Sequence, residues 1–337
     1  MPYMLYKRHS IYYELNGEKG RPLIVFVNGL TQSTAIWGLQ TEQLNKLGYQ
    51  TLTFDLLGQG KSFKPILDIN FDENADVLHE LLLHIGVKKA YIAGISFGGV
   101  TTLQFAIRFP EQCRGLIVMS AFTEMDRRLM LLGLNMYQGL TLVGLNMLLD
   151  ILLPINLSSD YLQKNEQLLK GLRKMTLAKN DLYAIQNLME SISTFKGFTG
   201  ELTKIKAPTL ILNGEFDYLT PRWCHELMRK NIKDSRLVII QHAFHAFTVE
   251  YPAIVNKLFD YFVREVENKT WKGDQSVWIA TDDAASKEVL YPCYGDHMRA
   301  IHIAPGAAEG KSKPVVKKES SKAKALPGAR KKIKTKK

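Results

Sequence analysis

Gly94-Ile95-Ser96-Phe97-Gly98-Gly99 is the stretch on which the reading of this chain turns. It follows the apolar run Ala90-Tyr91-Ile92-Ala93 and precedes Val100-Thr101-Thr102-Leu103-Gln104-Phe105-Ala106-Ile107. The first run reads as a strand and the second as a helix. A serine between small residues on a strand-to-helix reversal has the layout of a nucleophile elbow. So tight a reversal puts the serine in a strained backbone conformation, and side chains at its flanks would collide with it. The hydroxyl then stands above the sheet edge. The N–H of the next residue lies at a helix N-terminus, where partial positive charge collects.

A serine hydroxyl needs a base within hydrogen-bond reach, and that base needs a third group to orient it. Partners follow in the order serine, acid, histidine. Thr209-Leu210-Ile211-Leu212 reads as a strand and runs into Asn213-Gly214-Glu215-Phe216-Asp217. Arg236-Leu237-Val238-Ile239-Ile240 reads as the next strand and runs into Gln241-His242-Ala243-Phe244-His245. Each candidate lies just past the carboxyl end of a strand, the edge at which open parallel sheets place their sites.

From about residue 20 to about residue 267 the chain resembles the α/β-hydrolase superfamily. Val27-Asn28-Gly29-Leu30 resembles the family's His-Gly oxyanion loop, with Asn28 in place of His. The turn Asp55-Leu56-Leu57-Gly58-Gln59-Gly60-Lys61-Ser62 resembles its Asp-x-Arg-Gly-x-Gly-x-Ser, lacking the Arg and the usual His. His245, Glu250 and Pro252 match the spacing His-x4-Glu-x-Pro, which selects His245 over His242. The resemblance implies a catalytic Ser96, Asp217 and His245, with backbone N–H groups of Leu30 and Phe97 as the oxyanion hole. Those donors are main-chain groups, so Asn28 does not remove the hole. Glu215 is the nearest competing acid. Glu124 and Asp126 follow the preceding strand, where some relatives place the acid. His242 reads as structural. Fold does not give substrate.

Composition bounds the rest. At 337 residues and 46% apolar content, the chain can bury one large core or a core plus a smaller unit. The formal charge of +11 is not spread over it. Residues 311–337 hold twelve Lys or Arg against the single acid Glu319, so the remainder balances to zero. Residues 305–337 have few large apolar side chains and are expected to be disordered. The three cysteines, Cys113, Cys224 and Cys293, are far apart and odd in number. They support neither a disulfide framework nor a zinc site, and fit a reducing compartment. The N-terminus lacks a signal-peptide pattern, so the expected location is cytoplasmic. No metal cluster, phosphate loop or dinucleotide fingerprint appears, and no cofactor is expected.

Strand-like segments 22–27, 49–54 and 116–119 alternate with helical ones at 39–47 and 72–85, which predicts a mostly parallel sheet covered by helices on both faces. Segments 4–7 and 11–15 predict an antiparallel edge hairpin. Prolines open the closing helices over 221–231 and 252–267. The hydrolase core is thus expected over 1–121 and 206–267, with a helical cap over 122–205. Within the cap, residues 129–149 form 21 residues without a charge. That is long enough to span a bilayer, but three glycines, Asn135, Gln138 and Asn146 interrupt it. A span would also separate Ser96 from Asp217. It is expected to be a buried helix or helix pair ended by Pro154, doubling as an apolar lid for an acyl chain. Residues 268–304 read as an extension docked on the domain, with strands at 276–279 and 289–291; His297 reads as structural.

The expected function is hydrolysis of an ester or thioester with an apolar acyl part, through an acyl-enzyme. Two alternatives stand beside it. One is acyl transfer to an alcohol or thiol, since the Asn-Gly loop resembles that of hydroxyacyl transacylases and rhamnolipid-precursor synthases. The other is a non-catalytic binding protein on the same fold. The basic tail is expected either to be a solvated appendage or to bind a polyanion, nucleic acid or anionic lipid, without sequence preference.

Overall fold

The structure is a computed structural model describing residues 2–64 and 69–281, and the backbone of 298–300. Its centre is a sheet in the order β1-β2-β4-β3-β5-β6-β7-β8-β9-β10. The strands are β1 (Tyr3–Tyr6), β2 (His9–Asn16), β3 (Leu23–Val27), β4 (Gln50–Phe54), β5 (Ala90–Ile95) and β6 (Cys113–Met119). They continue with β7 (Thr209–Gly214), β8 (Ser235–Ile240), β9 (Asp274–Ala280) and β10 (Met298–Ala300). Only β1–β2 and β2–β4 pair antiparallel; every other neighbour is parallel.

The parallel strands are near-continuous apolar runs because both faces are covered. Successive side chains of β3 enter opposite cores. Leu23, Val25 and Val27 join one, and Ile24 and Phe26 the other. The first core takes α2 (Phe71–His84), α3 (Phe97–Arg108) and the inner side of the cap. The second takes α1 (Gly38–Lys46) and the closing helix Pro252–Glu267. In α2, Asn70 caps the N-terminus by accepting from the Glu73 N–H, and Ala75, Leu78, Leu81 and Leu82 form the buried stripe.

Between β6 and β7 the chain leaves the sheet and forms α4 (Arg127–Gln138), α5 (Leu145–Asn156), α6 (Ser159–Lys164), α7 (Glu166–Lys179) and α8 (Leu182–Ser193). The uncharged run of 129–149 is a helix pair. A π-type turn, Gly139–Val143, and Gly144 at φ +113° break it. Among the described residues no helix is long and apolar enough to cross a membrane. Pro154 does not end this segment, as the sequence suggested. It sits inside the last turn of α5, which runs on to Asn156. Its ring removes the one hydrogen bond that would have run back to the Asp150 carbonyl, and the helix continues for two residues.

The strand expected at 276–279 is present, but it pairs parallel with β8 and so lies in the central sheet. The sequence treated it as a docked decoration because its partner is remote in the chain. Residues 289–291, His297 and the basic tail fall outside the described residues.

Candidate active site

Ser96 occupies the reversal between β5 and α3 at φ 55°, ψ −121°. A non-glycine residue there is strained, and its surroundings must hold it. The Ser96 N–H donates to the Met119 carbonyl at 2.9 Å, pinning the elbow to β6. The flanking glycines are needed for close approach. A Cβ on Gly94 would overlap Thr102 Oγ1 and the Gly98 carbonyl, and one on Gly98 would overlap the Val27 and Asn28 carbonyls. The close approach of the start of α3 to Gly94, and of the β3 end to Gly98, therefore excludes any side chain at either position.

The loop after β7 carries Asp217, which is 3% exposed. Its Oδ1 accepts from the N–H groups of Leu219 (3.0 Å) and Thr220 (2.8 Å), and its Oδ2 accepts from Thr220 Oγ1 (2.8 Å). The loop after β8 carries His245, 4% exposed, whose Nδ1 lies 2.9 Å from Asp217 Oδ2. Burial alone would raise the Asp217 pKa. The adjacent His245 and the donated hydrogen bonds outweigh it and hold the carboxyl below its usual value. With Nδ1 committed to Asp217, Nε2 is the His245 nitrogen left for the cavity.

Ser96 and His245 both line a cavity of about 500 Å³. Leu30 and Phe97 line it too, and their N–H groups have no hydrogen-bond partner among the described residues. The neighbouring Gly29 N–H is already taken by Gln32 Oε1 at 2.8 Å. The rest of the wall is largely apolar and comes from the cap, including Met125, Leu129, Met136, Leu152 and Met189.

Asn28 is fully buried and makes no direct approach to the cavity. Its Nδ2 donates to the Phe54 carbonyl at 2.9 Å and its Oδ1 accepts from Trp37 Nε1 at 2.8 Å. The amide thus ties the loop holding Leu30 to the end of β4, which accounts for the departure from His. The competing acids have other roles. Glu215 Oε2 accepts from the His242 N–H at 2.8 Å, Asp126 caps α4 through the Leu129 N–H, and Glu124 is exposed. His242 is exposed at φ 58° and is not part of the cavity wall.

Three polar groups stand behind the site, and only Glu250 carried a signal in the sequence. Ser120 Oγ donates to the His245 carbonyl at 3.0 Å. Glu250, noted only for its spacing, accepts from the Phe244 N–H (3.2 Å) and from the N–H of Ser158, the N-cap of α6 (2.7 Å). It thereby joins the His245 loop to the cap. His225, in α9 (Arg222–Asn231), is fully buried, and its Nε2 accepts from the Ala121 N–H at 3.1 Å. Desolvation pushes its pKa down to about 4. The unfolded chain therefore binds a proton near pH 6.5 that the folded one refuses until about pH 4. Stability is expected to fall by roughly 3 kcal/mol as pH drops across that window. The Asp217 contribution is lost only below the usual carboxylate range, so the two are separable. Denaturant melts from pH 7 to 4 should show this slope, and His225→Gln should flatten it; an unchanged slope in the variant would refute the assignment.

Residues 22–252 match the family described as alpha/beta hydrolase fold. The chain belongs to that family and is an enzyme of it. It is 29% identical over 259 residues to a proline iminopeptidase of Saccharolobus solfataricus, covering 70% of this chain and 83% of that one. It is 25% identical over 266 residues to serine hydrolase BPHL of Mus musculus, covering 75% and 83%. Its structure resembles MGS-M2, an alpha/beta hydrolase enzyme from a Medee basin deep-sea metagenome library. There the TM-score is 0.72 and the identity 26%, covering 78% of this chain and 97% of that one.

Proposed function

We propose that this enzyme is a serine hydrolase cleaving esters or thioesters with an apolar acyl group. The observation that carries the reading is a strained Ser96 on an apolar cavity shared with His245, whose Nδ1 is held by a buried carboxylate. Ser96 Oγ attacks the acyl carbonyl while its proton passes to His245 Nε2. The carbonyl oxygen, now negative, is held by the N–H groups of Leu30 and Phe97. Collapse breaks the bond to the leaving group, which takes the proton from His245. Water then attacks the acyl-enzyme by the same route and releases the acid. Asp217 keeps the Nδ1–H tautomer and stabilises the imidazolium. Labelling of the parent but not of Ser96→Ala by a fluorophosphonate probe tests the nucleophile and excludes a binding-only protein.

The apolar wall sets a graded expectation. From acetyl upward, kcat/KM on p-nitrophenyl esters should rise by up to about 0.8 kcal/mol, roughly fourfold, per buried CH₂. Flat or falling values would show that the cap wall is core and nothing more. The same apolar wall supports transfer to an alcohol or thiol as a second reading, because exclusion of water favours the competing acceptor. Product analysis with and without an added alcohol separates the two.

A cytoplasmic setting rests on the separated cysteines. The charge of residues 311–337 supports polyanion binding that is separate from catalysis. Deleting them is expected to abolish salt-sensitive DNA retention, while kcat/KM on a soluble ester stays within about twofold, since remote charges are screened. Equal DNA binding by both forms would place the anion site on the body.

A further inference from the structure

The outer face of the cap is apolar where it meets solvent. On α4, Met130, Leu131 and Leu134 are each more than two-fifths exposed. Their spacing places them within one arc of the helix, together with Arg127. The π-type turn that follows holds Leu142 at 80% and Val143 at 70% exposure, and Met147 on α5 continues the surface. Single exposed apolar side chains need no explanation, but six within eighteen residues do. Two of them stand almost free on a turn between helices.

We infer that this face docks on the surface of an anionic phospholipid bilayer. Three observations choose that occupant. First, Met130, Leu131 and Leu134 also line the cavity, so the exposed face is continuous with its mouth. A protein partner seated there would stopper the cavity, whereas a lipid surface can deliver an acyl chain into it. Second, Arg127 lines the same mouth, and its side chain has no ion-pair or hydrogen-bond partner among the described residues. It is a free cation beside an apolar patch, and residues 311–337 add a formal +11. Third, α4 and α5 are 12 residues each, or about 18 Å, against a hydrocarbon core of about 30 Å. Helices of that length cannot span, but with one apolar face they can lie in the interface. The choice of a lipid over a protein partner rests in part on the acyl-hydrolase reading, whereas the exposed apolar face and its charge do not.

Leu142 and Val143 lie outside the cavity wall, so they test the contact without touching the site. Binding to phosphatidylcholine–phosphatidylglycerol vesicles would be measured by co-sedimentation for the full chain, for Ser96→Ala, and for Leu142→Asp with Val143→Asp. The parent and Ser96→Ala should bind alike. The double variant should bind about tenfold more weakly or worse, since two apolar anchors become anions. Its kcat/KM on a short soluble ester should match the parent, which also shows that it folds. Parent-like vesicle binding by the double variant would overturn the proposal and leave the tail as the only anchor. A parent that is dimeric by size-exclusion chromatography and fails to bind vesicles, with the double variant monomeric, would overturn it in favour of a second copy. Should Ser96→Ala keep full esterase activity while vesicle binding still depends on Leu142 and Val143, the catalytic reading fails and the docking face stands.

Discussion

Replacing Ser96 by alanine is expected to leave a folded protein whose ester hydrolysis has fallen about 10⁴-fold or more. Alanine removes the oxygen proposed to attack and nothing that the elbow needs for its shape, since the N–H at position 96 still reaches Met119 and the glycine contacts are untouched. His245→Ala should fall as far, because nucleophile and base act as a unit and their losses do not add. His242→Ala should keep most of the rate, as that ring lies outside the cavity wall. Hydrolysis by purified Ser96→Ala within tenfold of the parent would end the serine mechanism. Reversed effects at the two histidines would end the assignment of the base.

Asp217→Asn is expected to cost about 10⁴-fold in kcat, as removal of the orienting carboxylate does in other triads. Five donors converge on Asp217: two N–H groups, the Thr220 hydroxyl, His245 Nδ1 and, at 3.4 Å, Asn213 Nδ2. An amide offers one oxygen and one NH₂. Either His245 turns to the other tautomer and loses its basic Nε2, or a loop donor faces the NH₂ unpaired. The second outcome would add a stability loss of about 1–3 kcal/mol. Rate and denaturant midpoint measured together separate them. Glu215→Gln should change little, because that carboxylate serves the His242 N–H. A large loss at Glu124 or Asp126 in its place would move the acid to the strand before.

Much of this arrangement was legible in residue order. The elbow has a local steric cause, so its glycines mark it wherever it occurs. The parallel strands read as apolar runs because both faces are buried. The break in the 129–149 run was visible only as glycines. Whether they made a kink, a span or two helices depended on what the segment packed against. β9 was seen as a strand but not as part of the sheet, since a strand's pattern reports its burial and not its partner.

Sequence by itself determined the fold class, the strand ends that carry Ser96, Asp217 and His245, and the segregation of charge into the tail. Each of these follows from neighbours along the chain, such as a tight turn, an alternating apolar run or a block of like charge. Tertiary structure alone decided the groups behind the site. His225 and Ser120 reach the surroundings of His245 through hydrogen bonds between segments far apart in the chain, and nothing local distinguishes them from surface residues; Glu250 was marked by its spacing, but its bond to the Ser158 N–H was not. It alone decided that one apolar segment would both wall a cavity and face outward, because α4 buries only Leu129 and Met136 and leaves its other apolar side chains to whatever the molecule meets.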